Sequence, residues 1–100
     1  MQKSCNERIG EAFEETMKDI RTLWNVGSLY NYGLSIEHVD GYYRYLISWG
    51  GPSREFRVYE NGDVEFWFLD WYDGASIPVF GEDAEIIKEI IRMKYPDAKI

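Results

Sequence analysis

The chain of 100 residues has one cysteine, Cys5, and one histidine, His38. A lone thiol excludes an internal disulfide, and with one imidazole it falls short of the four ligands of a structural zinc site. Cations are scarce as well: 11 Lys and Arg stand against 18 Asp and Glu, for a formal charge of −7, and they form no cluster. Direct nucleic-acid binding needs a basic face that neutralises phosphates, so it is not expected. Attachment to an anionic membrane surface is disfavoured on the same ground. No apolar run approaches the ~20 residues of a spanning helix. The start, Met1 to Arg8, lacks the apolar stretch of a signal peptide, so a cytoplasmic location is the expectation.

Catalytic and cofactor signatures are thin too. Gly50-Gly51-Pro52-Ser53 has neither the lysine nor the following helix of a phosphate loop, and reads as a strand connection. His38 has no triad spacing to Ser48 or Asp40. Asp70 and Asp73 form a carboxylate pair of the kind that serves acid–base or metal chemistry. An Asp-Gly turn, with Asp73 bonding its own backbone, explains the pair more simply. Cys5 lies near a chain end that is expected to fray, which makes a nucleophile role weak. The expectation is a protein without enzymatic activity, metal or cofactor.

What the chain does have is aromatic residues, 17% of it, with eight Tyr, five Phe and four Trp. One domain over residues 1–100 buries only about two thirds of the surface its unfolded form exposes, so several rings are expected at the surface. Ile9, Phe13, Met17, Ile20 and Trp24 recur every three or four positions and predict an amphipathic helix over about 6–25, with Ser4 or Asn6 at its start and Gly27 at its end. A short helical turn is expected over 28–33. The period then falls to two. Strands are predicted over about 34–39, 42–49, 54–59 and 63–69, with 77–80 as a candidate fifth carrying Pro78 at an edge. A three-residue loop, Glu60-Asn61-Gly62 with Gly62 left-handed, pairs Val58 with Val64, Phe56 with Phe66 and Arg57 with Glu65. Asp70 to Gly74 reads as a turn. A second helix is predicted over about 82–95, with Ile86, Ile87, Ile90, Ile91 and Met93 as its buried stripe, acids in its first turn and Pro96 as its stop.

The fold class that follows is α+β: a helix, an antiparallel meander of four or five strands, and a helix, with both helices on one sheet face. That face would be Tyr43, Tyr45, Ile47, Phe56, Val58, Val64, Phe66 and Phe68, with Trp49 on the same side of its strand. The other face would present Tyr42, Arg44, Leu46, Glu55, Arg57, Tyr59, Glu65, Trp67 and Leu69, with Trp71 at its rim. Tyr, Trp and Arg are what interface centres favour. Ordinary sheet decoration by cross-strand ion pairs and exposed tyrosines is the plainer account of the same residues. Acidity concentrates here, since residues 34–75 hold eight acids and three arginines. On the first helix Glu7, Glu11, Glu15 and Asp19 recur every four residues, a row with roughly 6 Å between steps. Such a row is usually a solvated face, diluted here by Arg8, Lys18 and Arg21, and imitation of phosphates is the sharper alternative.

Two stretches are familiar: Gly41-Tyr42-Tyr43-Arg44-Tyr45-Leu46-Ile47-Ser48-Trp49-Gly50-Gly51-Pro52-Ser53 with Glu55-Phe56-Arg57, and Val64-Glu65-Phe66-Trp67-Phe68-Leu69-Asp70-Trp71-Tyr72-Asp73-Gly74-Ala75. Over about residues 28–80 the chain resembles a family of small, acidic, largely uncharacterised proteins of plasmids, phages and other mobile elements. The resemblance implies a counter-defence context of the anti-CRISPR or antirestriction kind, acting in the host cytoplasm. The expected function is a protein inhibitor whose acidic aromatic face docks on a basic nucleic-acid-binding protein, a CRISPR effector or a restriction enzyme. Tyr42, Tyr59, Trp67 and Trp71 would be its anchors, and Glu55, Glu65, Asp70 and Asp73 would meet Lys and Arg on the partner. The alternative is a structural or regulatory module that homodimerises through the same face.

Overall fold

A computed structural model describes residues 4–27, 32–49, 51–71 and 73–100. The elements run α1 (Cys5–Asn25), β1 (Ser35–Val39), β2 (Tyr42–Ser48), β3 (Ser53–Tyr59), β4 (Val64–Asp70), β5 (Asp73–Val79) and α2 (Gly81–Lys94). The strands form one antiparallel sheet in the order β1-β2-β3-β4-β5, a meander with no crossover. The short turn expected over 28–33 falls mostly outside the described residues.

Helix α1 starts where its backbone donors find partners. Ser4 is the N-cap: its hydroxyl accepts from the Glu7 N–H at 3.3 Å, and its own N–H donates to Glu7 Oε1 at 3.2 Å, a reciprocal capping box. Val26 and the left-handed Gly27 (φ 69°) end it. Helix α2 has no side-chain cap at its start, where Phe80 is the N-cap, but Glu82 and Asp83 in its first turn and Arg92 and Lys94 in its last suit the helix dipole.

Period-two patterning places the core. Tyr43, Tyr45, Phe56, Val58, Val64, Phe66 and Phe68 are buried with Ile9, Ala12, Met17 and Ile20 of α1 and Ile86, Ile87, Ile90 and Ile91 of α2, so both helices cover one sheet face. Phe13 meets Phe66 edge-on at 5.5 Å. The β3–β4 register pairs Val58 with Val64, Arg57 with Glu65 and Phe56 with Phe66, and Gly62 (φ 95°) takes the left-handed place in the loop. Arg21 forks onto Asp83 at 2.9 and 2.6 Å and ties α1 to α2. At the far end of α2, Lys94 Nζ donates to the Ile36 carbonyl at 2.5 Å, which also covers part of the β1 edge.

Four expectations need correction. Strand β5 is longer than 77–80 and begins at Asp73, opposite Asp70. Pairing with β4 carries Asp73 to Ser76 into the sheet against their poor strand propensity. Trp49 lies beyond the end of β2 and is 75% exposed, because a register shift between Leu46 and Ser48 breaks the alternation. Met93 is 63% exposed, on the margin of the α2 stripe. Arg8 does not dilute the α1 carboxylate row, because it turns inward to Asp70, whereas Arg21 pairs with Asp83 and stays close to Glu14.

Candidate functional site: the uncovered face of the sheet

Among the described residues, nothing covers the sheet face opposite the helices. Alternation along each strand brings to it Glu37 and Val39 from β1, Tyr42, Arg44 and Leu46 from β2, Glu55, Arg57 and Tyr59 from β3, and Glu65, Trp67 and Leu69 from β4. Tyr42, Glu55, Tyr59, Glu65 and Trp67, all expected in the site, are therefore on one surface.

Arg57 is the centre of this surface. Its guanidinium stands 3.9 Å from the Trp67 ring centroid and 5.2 Å from that of Tyr42, a cation–π arrangement on both sides. Its Nε donates to Glu55 Oε2 at 2.7 Å. Glu55 is 4% exposed, a carboxylate folded under this cover. Burial works to lower the Arg57 pKa, but the hydrogen bond and charge of Glu55 outweigh it and hold the guanidinium above its ordinary value. One strand over, Glu65 Oε1 accepts from Tyr59 Oη at 2.6 Å and from Trp67 Nε1 at 3.0 Å. Burial, then that hydrogen bond, raises the Tyr59 pKa. Tyr42 and Tyr59 face each other at 5.6 Å.

Arg44 lies directly opposite Arg57 and donates to Glu37 at 2.8 Å. The Glu37 bond raises the Arg44 pKa, and Arg44 lowers that of Glu37 in turn. Arg44 Nε is buried without a partner. The polar groups of this face thus close largely on one another. Three carboxylates (Glu37, Glu55, Glu65) and two guanidiniums leave it near neutral, so the acidity of the chain is not concentrated here.

The remaining expected site residues lie elsewhere. Asp70 shares the parity of Phe66 and Phe68 and points to the helix side, where it pairs with Arg8 at 2.5 Å. Asp73 accepts from the Cys5 N–H at 2.8 Å and the Gly74 N–H at 2.9 Å, and the Cys5 bond holds its pKa below the ordinary value. Both carboxylates fasten α1 to the β4–β5 hairpin. Trp71 is at the hairpin tip, beyond the rim of the face, and 89% exposed. On α1, Glu7, Glu11, Glu14, Glu15 and Asp19 all face solvent, and further exposed acids are spread over the strand connections and α2. Of these, Glu15 meets Arg54 at 3.1 Å and Glu14 meets Arg21 at 4.0 Å.

His38, Ser48 and Cys5 lie on different elements. His38 stacks on Tyr43 at 4.2 Å and meets Glu60 at 3.4 Å, while Ser48 is at the other end of β2. Cys5 is buried, and burial and then Asp73 raise its pKa, which opposes the thiolate a nucleophile needs. Among the described residues no three His, Cys, Asp or Glu side chains converge on a metal position.

Comparisons with family models, with curated proteins and with solved structures return no match.

Proposed function

We propose that this protein is a non-enzymatic inhibitor of the counter-defence kind carried by mobile elements, which binds a basic nucleic-acid-handling defence protein, a CRISPR effector or a restriction enzyme. One observation carries the reading: a sheet face left uncovered, with Trp67, Tyr42 and Tyr59 grouped around Arg57. Trp, Tyr and Arg together are the composition of interface hot spots, and here their rotamers are already fixed by mutual contacts, which lowers the entropy lost on docking. The charge of −7 suits a basic partner. The long-range attraction comes from exposed carboxylates spread over α1, α2 and the strand connections, and it acts on the rate of encounter.

The test is expression in a bacterium that carries a CRISPR or restriction system, with phage plaquing as the readout, and binding to the purified effector. Plaquing restored by about 100-fold or more, with Trp67→Ala weakening effector binding by roughly 30-fold, supports the reading, provided the variant keeps its thermal transition. Absence of both restored plaquing and binding across such systems removes it.

A second reading has its own support. Most charges of the face are paired within it, as Glu37 with Arg44 and Glu55 with Arg57, so two copies of it meet with little unbalanced charge. A homodimer through this face would show a concentration-dependent mass by light scattering, abolished by Trp67→Ala.

A further inference from the structure

Two tryptophans project from one end of the sheet into solvent. Trp49 follows β2 and is 75% exposed, and Trp71 opens the β4–β5 turn and is 89% exposed. The registers place them together: Ser48 is opposite Arg54, Ser53 opposite Leu69, and Asp70 opposite Asp73. Strand β3 alone separates β2 from β4, so the two loops are about 10 Å apart at ~4.8 Å per strand. Leu34, 57% exposed, enters the sheet at the same end, its N–H donating to the Leu46 carbonyl at 2.8 Å.

Trp71 is also strained. Its φ of 54° makes it the one non-glycine residue with positive φ among the described residues. In that region the Cβ of an L-residue crowds the following carbonyl, so glycine or asparagine is the usual occupant and a bulky side chain is an outlier. The position therefore holds a residue unsuited both to its backbone and to its surroundings. The fold does not require it, because the hairpin is fastened by Asp70 to Arg8 and by Asp73 to the Cys5 and Gly74 N–H groups. A strained, solvated indole with no structural duty points to contact outside the chain.

We infer that Trp71, with Trp49 beside it, is a wedge that inserts into an apolar socket on a protein partner, and that the socket is rimmed by Lys or Arg. The rim follows from charge. The hairpin adjoins the first turns of α1, where Glu7 and Glu11 are exposed while the charge of Arg8 is neutralised by Asp70. An anionic lipid surface has the wrong sign for this end of the molecule. The surface is distinct from the uncovered sheet face, and the inference does not rest on the counter-defence reading.

Trp71→Asn tests it first without any partner. Relief of the left-handed strain raises the melting temperature by about 2–6 °C, whereas a fall shows that the ring is structural and overturns the inference. In quenching of the Trp71 fluorescence, taken as the difference from Trp71→Phe, caesium outperforms iodide next to the carboxylates, and equal quenching removes the basic rim. Finally, a photo-crosslinking phenylalanine analogue at position 71 is used in producing cells. The supporting result is an adduct with a protein that, once purified, binds the unaltered chain at least 30-fold more tightly than it binds Trp71→Asn. No adduct, an adduct with a second copy, or a blue shift of the indole on phosphatidylcholine vesicles each overturns it.

Discussion

Arg57 touches Glu55, Trp67 and Tyr42 at once, so its removal separates electrostatics from packing on the uncovered face. Glu55 is 4% exposed, and its charge is tolerated because the guanidinium answers it. Arg57 itself keeps 21% of its side-chain surface in water, so the pair falls short of the 3–5 kcal/mol seen when fully buried pairs are broken. Arg57→Ala is expected to lose about 2 kcal/mol in urea unfolding. In a Glu55→Gln background the same substitution is expected to lose less than half of that, since no charge is stranded. Equal losses in both backgrounds would assign the contribution of Arg57 to its packing on the two rings.

At the scale of elements, the junction of α1 with the β4–β5 hairpin is the most specific contact between helix and sheet. Asp73 is its pH-sensitive part. The Cys5 N–H holds its folded pKa below the ordinary Asp value, so the folded chain binds fewer protons than the unfolded one between those two values. The stabilisation is therefore fully present above about pH 4, the ordinary value, and is lost as pH falls through the folded pKa. Asp73→Ala is expected to melt below the unaltered chain at pH 7, with the difference shrinking below about pH 4. A difference that stays constant down to pH 2 would show that the carboxylate charge is not what holds the helix start.

The same junction shows what is legible in sequence. Alternation of large residues in β2, β3 and β4 identifies the buried face, and Gly62 after Glu60-Asn61 fixes the β3–β4 register. The side taken by Asp70 is legible too, since it lies two residues after Phe68, but only once β4 is seen to run through it; an Asp-Trp-Tyr-Asp-Gly string reads locally as a turn. Strand β5 is illegible for a different reason. Asp73-Gly74-Ala75-Ser76 has no strand propensity of its own, and its conformation comes from the neighbouring strand and from α1. Trp49 is misplaced by parity because the shift between Leu46 and Ser48 leaves no mark in composition. The proposed anchors Tyr42, Tyr59 and Trp67 fall together by strand parity alone, whereas the pairing of Glu65 with its own neighbours depends on side-chain geometry that spacing does not encode.

Over the whole molecule, two electrostatic effects oppose each other, and salt decides between them. Ion pairs such as Arg8–Asp70, Arg21–Asp83 and Arg54–Glu15 stabilise the fold and are weakened by screening. Against them stands self-repulsion in a chain of charge −7, most of all along α1, where Glu7, Glu11, Glu15 and Asp19 follow at four-residue intervals. Each like-charged neighbour pair at that spacing costs ~0.2–0.5 kcal/mol. The Arg8 and Arg21 pairs are partly shielded from solvent, at 26% and 41% exposure of the arginine side chains, while the carboxylate row is open to it. Screening therefore removes more repulsion than attraction. The melting temperature is expected to rise by a few degrees as the Debye length falls from ~30 Å at 10 mM salt toward ~3 Å at 1 M. Glu11→Gln should raise it at low salt and flatten the dependence, since Glu11 has a carboxylate four residues to either side. A melting temperature that falls over the first 200 mM of salt would mean that the inward-turned arginines dominate, and that the α1 row is already neutralised in the fold.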